Sequence, residues 1–598
     1  MSNSVLYFIL CPGDANIGPE EVTLGKEVLV SHLRDTIYDR HKKMFERLGC
    51  DRSELVAYTK PSDLKEKGNG ALLERVTASI SKKNFVHHRD PLDTVFSHGF
   101  GKGLIHLVLK VQLIQIPSSF KRPRSPSQDD GVEQRHNKQV NFGLRALAPS
   151  SAAKTSEMRS QQSKIPIYNG RLGDLCGPPI AIYHQAFARM KDDLDHPEGI
   201  EVTAEELKWT HQLFEGSMKF YRSEGALVDG TRDLWEKLLG VVIRKLVSEG
   251  GETIANGGAT VDCFVSGASC ERALICDFEW KQDLRSPGDV GFRGGCSYQK
   301  IVEQSVNKRI RNSTCCPCLI IGIIGPCFCI MGAVFVDIPI MELLTGWVYL
   351  NDKPQGYVLG IARILKAAKN TLCRLRDYYL NVPLKDEPDR VAYPPMPVVK
   401  DGSPQPPALR YIDRLIKEDK ARPLFRAQMG DRDVIVKFSD RYCRDAHEHL
   451  ALEELAPALH FCEPIRGGLY MVVMDYVKEV AANDSAGKIP CEAYNDVVKA
   501  IKLLHENDLV FGDLRRPNLL VVDRTNKGRK GVLLVDFDWC GKDGDAKYPD
   551  TLNDTGEIDW AVGVERNGPM KKEHDLYRLK RLEALIPYED FVLCCSNG

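Results

Sequence analysis

The spacing of apolar positions divides the chain into three patterned stretches separated by two polar ones. Near the start, "VLYFILC" alternates like a strand. "GKEVLVSHLRDTIYDRHKKMFERL" then places Val30, Leu33, Ile37, Met44 and Leu48 on one helical face. "ELVAYTK" and "GLIHLVLKVQ" predict further strands, so residues 1–116 read as a small α/β roll. Periodicity is lost over 117–165, where "SSFKRPRSPSQDDGVEQRHNKQ" is polar and charged, which predicts a disordered linker. Patterning returns over 166–385, breaks in a proline-rich linker at 386–409 ("YPPMPVVKDGSPQPP"), and resumes over 410–598. The expected fold class is multidomain α+β.

One apolar run could change that picture. Cys315 to Val336, "CCPCLIIGIIGPCFCIMGAVFV", holds 22 uncharged residues, long enough to span a bilayer. Its β-branched content and the Gly325-Pro326 turn signal predict two buried strands instead. Cys315, Cys318, Cys327 and Cys329 have a loose metal-ligand spacing, but with no histidine or further CxxC nearby they read as small buried hydrophobes.

Composition narrows the partners. Lys and Arg (81) balance Asp and Glu (82), so no global field drives the chain onto nucleic acid or membrane, and no membrane partner is expected. Nineteen cysteines with no basic, apolar leader predict reduced thiols and a nuclear or cytoplasmic location. The basic run Lys121-Arg122-Pro123-Arg124 in the first linker is a candidate import signal.

The last stretch carries the densest chemistry. In "LVFGDLRRPNLLVVD", Asn518 follows Asp513 by five residues. Upstream, "DVIVKFS" is a strand bearing Lys437, and "DAHEHLALEELA" is a helix with Glu448. "GLYMVVMDYV" is a strand whose end, Met474, Asp475 and Tyr476, would form a nucleotide-binding hinge. Downstream, "NLLVVDRTNKGRKGVLLVDFDW" is a hairpin delivering Asp536 beside Asn518. Transfer from a nucleotide triphosphate needs a cation on the α- and β-phosphates (Lys437, with Glu448 to hold it). It also needs hard oxygen ligands for Mg²⁺ (Asn518, Asp536) and an oriented acceptor for the attacking hydroxyl proton (Asp513). Arg515 can stabilise charge on the transferred group. These elements in this order resemble the fungal-type protein kinase domains, in which Gly-Asp-Leu-Arg stands for His-Arg-Asp-Leu and Asp-Phe-Asp for Asp-Phe-Gly. The resemblance implies a bilobal fold over 410–598 with ATP and Mg²⁺ as cofactors. There are departures: Phe511 and Gly512 replace His and Arg, and no G-x-G-x-x-G precedes Lys437, only Gly430.

The 166–385 stretch carries a second constellation, "GGATVDCFVSGASCERALICDFEWKQDL". Asp262 lies on one predicted strand, and Glu279 and Lys281 share a face of the next, because strand side chains repeat every two residues. An acid on one strand and E-x-K on its neighbour is the layout of PD-(D/E)xK nucleases, in which Asp262 and Glu279 would hold Mg²⁺ and Lys281 would position water. Gln299 suits the helix that often follows. Together with "PIYNGRLGD", "NSTCCPCLIIGIIGP" and the terminal kinase-like region, this resembles Crinkler-type proteins of fungi and oomycetes. The resemblance makes residues 1–116 a ubiquitin-like N-terminal domain and 166–385 a nuclease-like module, with DNA as a partner of that module. It leaves open secretion into a host by a non-standard route, although residues 1–116 contain no clear LxLFLAK.

The function expected is a Mg-ATP-dependent protein kinase acting on Ser or Thr hydroxyls in the nucleus. The alternatives are an interaction protein built on degenerate kinase and nuclease folds, or a small-molecule phosphotransferase. The sequence does not name the acceptor or the oligomeric state.

Overall fold

The computed structural model describes residues 147–586, apart from 249–250, 265–269, 284–287, 351–355, 387–392, 401, 417–418, 479–488, 525–528 and 557, together with the backbone of four strands nearer the start. The chain divides into two units, residues 1–127 and 128–598. In the first, β1 (Asn3–Leu10), β2 (Ile17–Leu24), β3 (Leu55–Thr59) and β4 (Leu107–Val111) form a sheet in the order β2-β1-β4-β3. The central pair β1 and β4 is parallel, and each has an antiparallel outer neighbour. The helix expected over residues 25–48 and the basic run at 121–124 lie outside the described residues.

The second unit opens with α1 (Pro149–Ala152) and α2 (Thr155–Lys164), inside the stretch expected to be disordered. The reason is a buried amide. Gln162 accepts from the Ile167 N–H (2.8 Å) and donates to the Ile167 carbonyl (3.0 Å), which pins α2 beside the chain that bridges to Ile340.

A mixed sheet follows, in the order β10-β9-β8-β7-β6-β5. Its strands are β5 (Arg244–Val247), β6 (Thr253–Phe264), β7 (Cys270–Lys281), β8 (Cys318–Ile324), β9 (Cys327–Phe335) and β10 (Pro339–Leu343); β11 (Val348–Tyr349) pairs with β9. Only β7 and β8 pair in parallel, as their connection through α6 (Val290–Val302) requires. The 22-residue apolar run is β8 and β9 turning at Gly325 (φ 51°), and every residue of β9 is buried. Among the described residues, no helix is long and apolar enough to cross a membrane. Helices α3 (Gln185–Asp195), α4 (Ala204–Ser217), α5 (Glu224–Leu239), the short α7 (Lys308–Ser313) and the long α8 (Tyr357–Asn381) complete this region.

Next comes an antiparallel sheet in the order β12-β13-β14-β16-β15. Its strands are β12 (Arg410–Arg414), β13 (Leu424–Met429), β14 (Arg432–Ser439), β15 (Leu459–Ile465) and β16 (Leu469–Asp475), with α9 (Arg444–Leu452) between β14 and β15. The chain then forms α10 (Cys491–Glu506), β17 (Leu509–Val510), the β18 (Leu519–Arg524) and β19 (Arg529–Leu534) hairpin, β20 (Gly541–Lys542) and α11 (Lys572–Glu583).

Alternation along β14 decides how these parts join. Val434, Val436 and Phe438 belong to the core of the mixed sheet, whereas Ile435 on the opposite face packs in a second core with α9 and α10. The five-stranded sheet is therefore covered on both faces.

Polar contacts fix the junction. Asp192 accepts from the Gly467 N–H (2.9 Å) and from Arg466 (3.3 Å); Lys420 pairs with Asp337 (2.9 Å), and Arg414 donates to the Tyr183 hydroxyl (3.1 Å). Gly467, at φ 87°, approaches so closely that a Cβ there would lie 3.1 Å from the Ala188 Cα. The proline-rich stretch expected to be a linker takes part as well. Val399 bridges to Ile465, the Arg466 N–H donates to Val398 (3.0 Å), and Tyr393 stacks on Tyr411 (5.6 Å).

Candidate active site

Lys437, Asp513, Asn518 and Asp536 come from three segments (β14, the loop after β17, and the end of the β18–β19 hairpin) and meet at one place. β14 carries Lys437, whose Nζ lies 2.6 Å from Asp536 Oδ1. Asp513 follows β17, and its buried carboxylate receives Arg515 on both oxygens (2.5 and 2.7 Å) and Asn518 Nδ2 on Oδ2 (2.8 Å). Asn518 Nδ2 also reaches the Asp513 carbonyl (2.8 Å), closing the loop on itself. The Val535 N–H donates to the Asn518 carbonyl (3.0 Å), which sets Asp536 beside Asn518 at the end of the hairpin. Asp536 is left-handed (φ 72°), a cost of the kind that clusters at functional sites.

The electrostatics follow from this packing. Burial pushes the Asp513 carboxyl up from its ordinary value, against the pull of Arg515 and Asn518. Burial also opposes ionisation of Asp536, but Lys437 outweighs it and holds that carboxyl below its ordinary value. Asp538, half-buried nearby, is pushed up to about 6 by desolvation.

Phe511 and Gly512 have structural reasons. Phe511 packs edge-on against Phe537 (5.6 Å), which stacks on His447 of α9 (4.7 Å, 12°), so an aromatic column joins the catalytic loop to that helix. The Phe511 and Gly512 N–H groups both donate to Asp575 of α11 (2.8 and 3.0 Å). Gly512 is left-handed (φ 80°), and a Cβ there would lie 2.6 Å from Met570 Sδ.

One expectation does not survive. Glu448 does not hold Lys437: it pairs with Arg444 (2.7 Å) and its side chain is 46% exposed, because His447 is the residue α9 turns inward. Asp538, two residues beyond Asp536, meets Lys437 instead (2.7 Å). Gly430 cannot cradle phosphates: it turns β13 into β14, about 23 Å along the strand from Lys437. Leu424, at the start of β13, is the register partner of Lys437, and residues 415–423 before it include no glycine and carry Lys420 and Arg422.

At the expected hinge, the Asp475 side chain faces His460 (2.7 Å) and Arg432 (3.5 Å). The Tyr476 ring lies under the Arg426 guanidinium (4.6 Å). The Tyr476 N–H is used by the Asp433 carbonyl (3.0 Å).

The second constellation is arranged differently from expectation. Glu279 is fully buried between Arg293 (2.9 Å) and the Ser297 hydroxyl (2.6 Å), and burial pushes it up to about 7. Lys281 donates to the Gly288 carbonyl. Asp262 is not with them. It sits opposite Arg272, pairs with it (2.9 Å), and that register position lies about 23 Å along β7 from Glu279. Gln299, two residues past Ser297, is about 200° around α6 and donates to Glu303 (3.0 Å). The acid that does share the face of Glu279 is Asp277, buried and, among the described residues, with no hydrogen-bond partner on either oxygen. The D-x-E-x-K alternation of 277, 279 and 281 was there to be read. Among the described residues, no group of three or more His, Cys, Asp or Glu could hold a metal ion. Cys315, Cys318, Cys327 and Cys329 are buried free thiols, whereas Cys491 is disulfide-bonded.

No family model and no curated protein matches the chain. Among solved structures, the chain is similar to the kinase PK-1 of the Cydia pomonella granulovirus over 30% of this chain and 70% of that one, at 16% identity and a TM-score of 0.24.

Proposed function

We propose that residues 410–598 form a Mg-ATP-dependent phosphotransferase of the protein-kinase type, acting on Ser or Thr hydroxyls. The observation that carries this reading is the convergence of Lys437, Asp513, Asn518 and Asp536, with Asp513 already oriented by Arg515 and Asn518. The donor set fits Mg²⁺. The Asn518 amide nitrogen is spent on Asp513, which leaves its oxygen as a hard donor, and Asp536 is kept ionised by Lys437. When bound, Mg-ATP supplies the phosphoryl group and the cation that screens its charge. The rest belongs to the chain. Asp513 Oδ would accept the hydrogen bond of the incoming hydroxyl and take its proton as the acceptor oxygen bonds to the γ-phosphorus and the bridging oxygen leaves with ADP. Arg515 holds that carboxylate and faces the developing charge, while Lys437 grips the non-reacting phosphates. The Crinkler-type architecture, a ubiquitin-like N-terminal domain and nuclear import through Lys121 to Arg124 remain part of this reading on the strength of the motifs quoted above.

For the nuclease-like module the burial of Glu279 against Arg293 favours the non-catalytic alternative. The Glu279 carboxylate that would bind the metal is already paired with Arg293 and Ser297, so we read residues 166–385 as a scaffold for the five-stranded sheet and not as a DNA-cutting site.

The test is ADP release by the full chain with Mg-ATP, alone and with protein, peptide and aminoglycoside-like hydroxyl acceptors. Transfer to Ser or Thr is expected. Transfer to small hydroxyl compounds alone would support the small-molecule reading, and nucleotide binding without transfer to any acceptor would support the interaction protein.

A further inference from the structure

We propose that Asp538 is the positioning residue for Lys437, the task that a carboxylate on α9 was expected to perform; this rests on the phosphotransferase reading above. Lys437 Nζ touches two carboxylates, Asp536 Oδ1 at 2.6 Å and Asp538 Oδ1 at 2.7 Å. They are not equivalent. Asp536 is the Mg²⁺ ligand of the proposed site, so its charge is needed by the metal once nucleotide binds. Asp538 has no such second duty.

Its other oxygen, Oδ2, accepts the Ser439 hydroxyl at 2.9 Å. Lys437 and Ser439 are two apart on β14 and so share one face of the strand. A single carboxylate therefore clamps two successive side chains of that face and fixes the direction of the lysine. Helix α9 has nothing to offer in its place. Its inward position is the His447 ring stacked on Phe537, and Glu448 is turned out to Arg444. The lysine-holding acid has moved from the helix to the residue after Phe537, where a protein kinase loop has glycine.

The full chain tests this with Asp538→Asn, Asp538→Glu and Glu448→Gln. Losing a charged hydrogen bond of this kind should raise the KM for ATP roughly tenfold to a hundredfold in Asp538→Asn, with a smaller change in kcat. Asp538→Glu should recover part of the loss, and Glu448→Gln should stay within about twofold of the wild type, as surface ion pairs do. A folding defect is separated by a cycle with Lys437→Met. In that background Asp538→Asn should no longer change the KM, because a residue that acts through the lysine has nothing left to position. Equal KM values for the wild type and Asp538→Asn would overturn the proposal while leaving the phosphotransferase reading intact, as would an unchanged effect of Asp538→Asn in the Lys437→Met background. A wild-type chain that neither binds nor turns over Mg-ATP would overturn that reading and this inference with it.

Discussion

At the scale of single residues, Asp513 and Asp536 should fail differently when changed. Asp513→Asn keeps the shape and the Asn518 contact but removes the proton acceptor. Nucleotide affinity should stay near wild type while transfer falls about 10²-fold or more, seen by comparing equilibrium binding with single-turnover rates. Asp536→Asn should weaken Mg-nucleotide binding itself, because it removes the proposed metal ligand and one of the two carboxylates at Lys437. That Lys437, Asp513, Asn518 and Asp536 would lie together could be read from the sequence, from their order and gaps. The direction of Glu448 could not. One step along a helix is about 100° of rotation, and which of His447 and Glu448 faces the cleft depends on packing against Phe537 that no local pattern reveals. Asp262 failed for a related reason: strand register, not sequence spacing, decides which acid lies beside Glu279.

Elements act as units in two places. The column of Phe511, Phe537 and His447 connects the catalytic loop to α9, so Phe511→Ala should cost about 3–5 kcal/mol in denaturant unfolding and lower activity with it. Gly512→Ala should be worse tolerated than its size suggests, since a left-handed residue and a Cβ 2.6 Å from Met570 Sδ are both penalised. The second place is the start of α4. Thr203 and Glu206 form a reciprocal cap, and Glu206 also receives Lys366 (2.7 Å) and Lys369 (3.1 Å) from α8. Burial opposes ionisation of Glu206, but the lysines and the Thr203 N–H outweigh it and bring its pKa down to about 2. A depressed carboxylate stabilises the fold above its unfolded value near 4.5, and that stabilisation is lost as pH falls towards 2. Glu206→Gln should therefore lower the Tm at pH 7, with the difference shrinking as pH falls through this window. In the two large sheets β6, β7, β14 and β16 are legible in the sequence, and β8 and β9 follow from the β-branched content and Gly325-Pro326 turn of the 22-residue apolar run, whereas β5, β10, β12, β13 and β15 were not foreseen. The cap did not enter the reading, although Thr203 and Glu206 have its spacing.

The whole second unit behaves as one folded body, because the five-stranded sheet puts Val434, Val436 and Phe438 into the core of the mixed sheet. Residues 410–598 on their own would expose that face, so this fragment should be less stable than a chain beginning at residue 128, by thermal unfolding, and prone to association. Asp192→Ala should loosen the same junction by removing the acceptor for Gly467 and Arg466. The proline content of 386–409 suggested a spacer. Composition cannot show that the edge of β15 was open to it, and that edge is what Val399 occupies. Everything proposed for the site depends on Asp513 doing chemistry in this setting. A single-turnover assay of γ-phosphate transfer from saturating Mg-ATP by the full chain, wild type beside Asp513→Asn, reads that out. Transfer to Ser or Thr hydroxyls by the wild type is expected, with a loss of about 10²-fold or more in the variant and nucleotide bound equally by both. Equal transfer by the two, or bound nucleotide with no transfer by either, would contradict the phosphotransferase assignment.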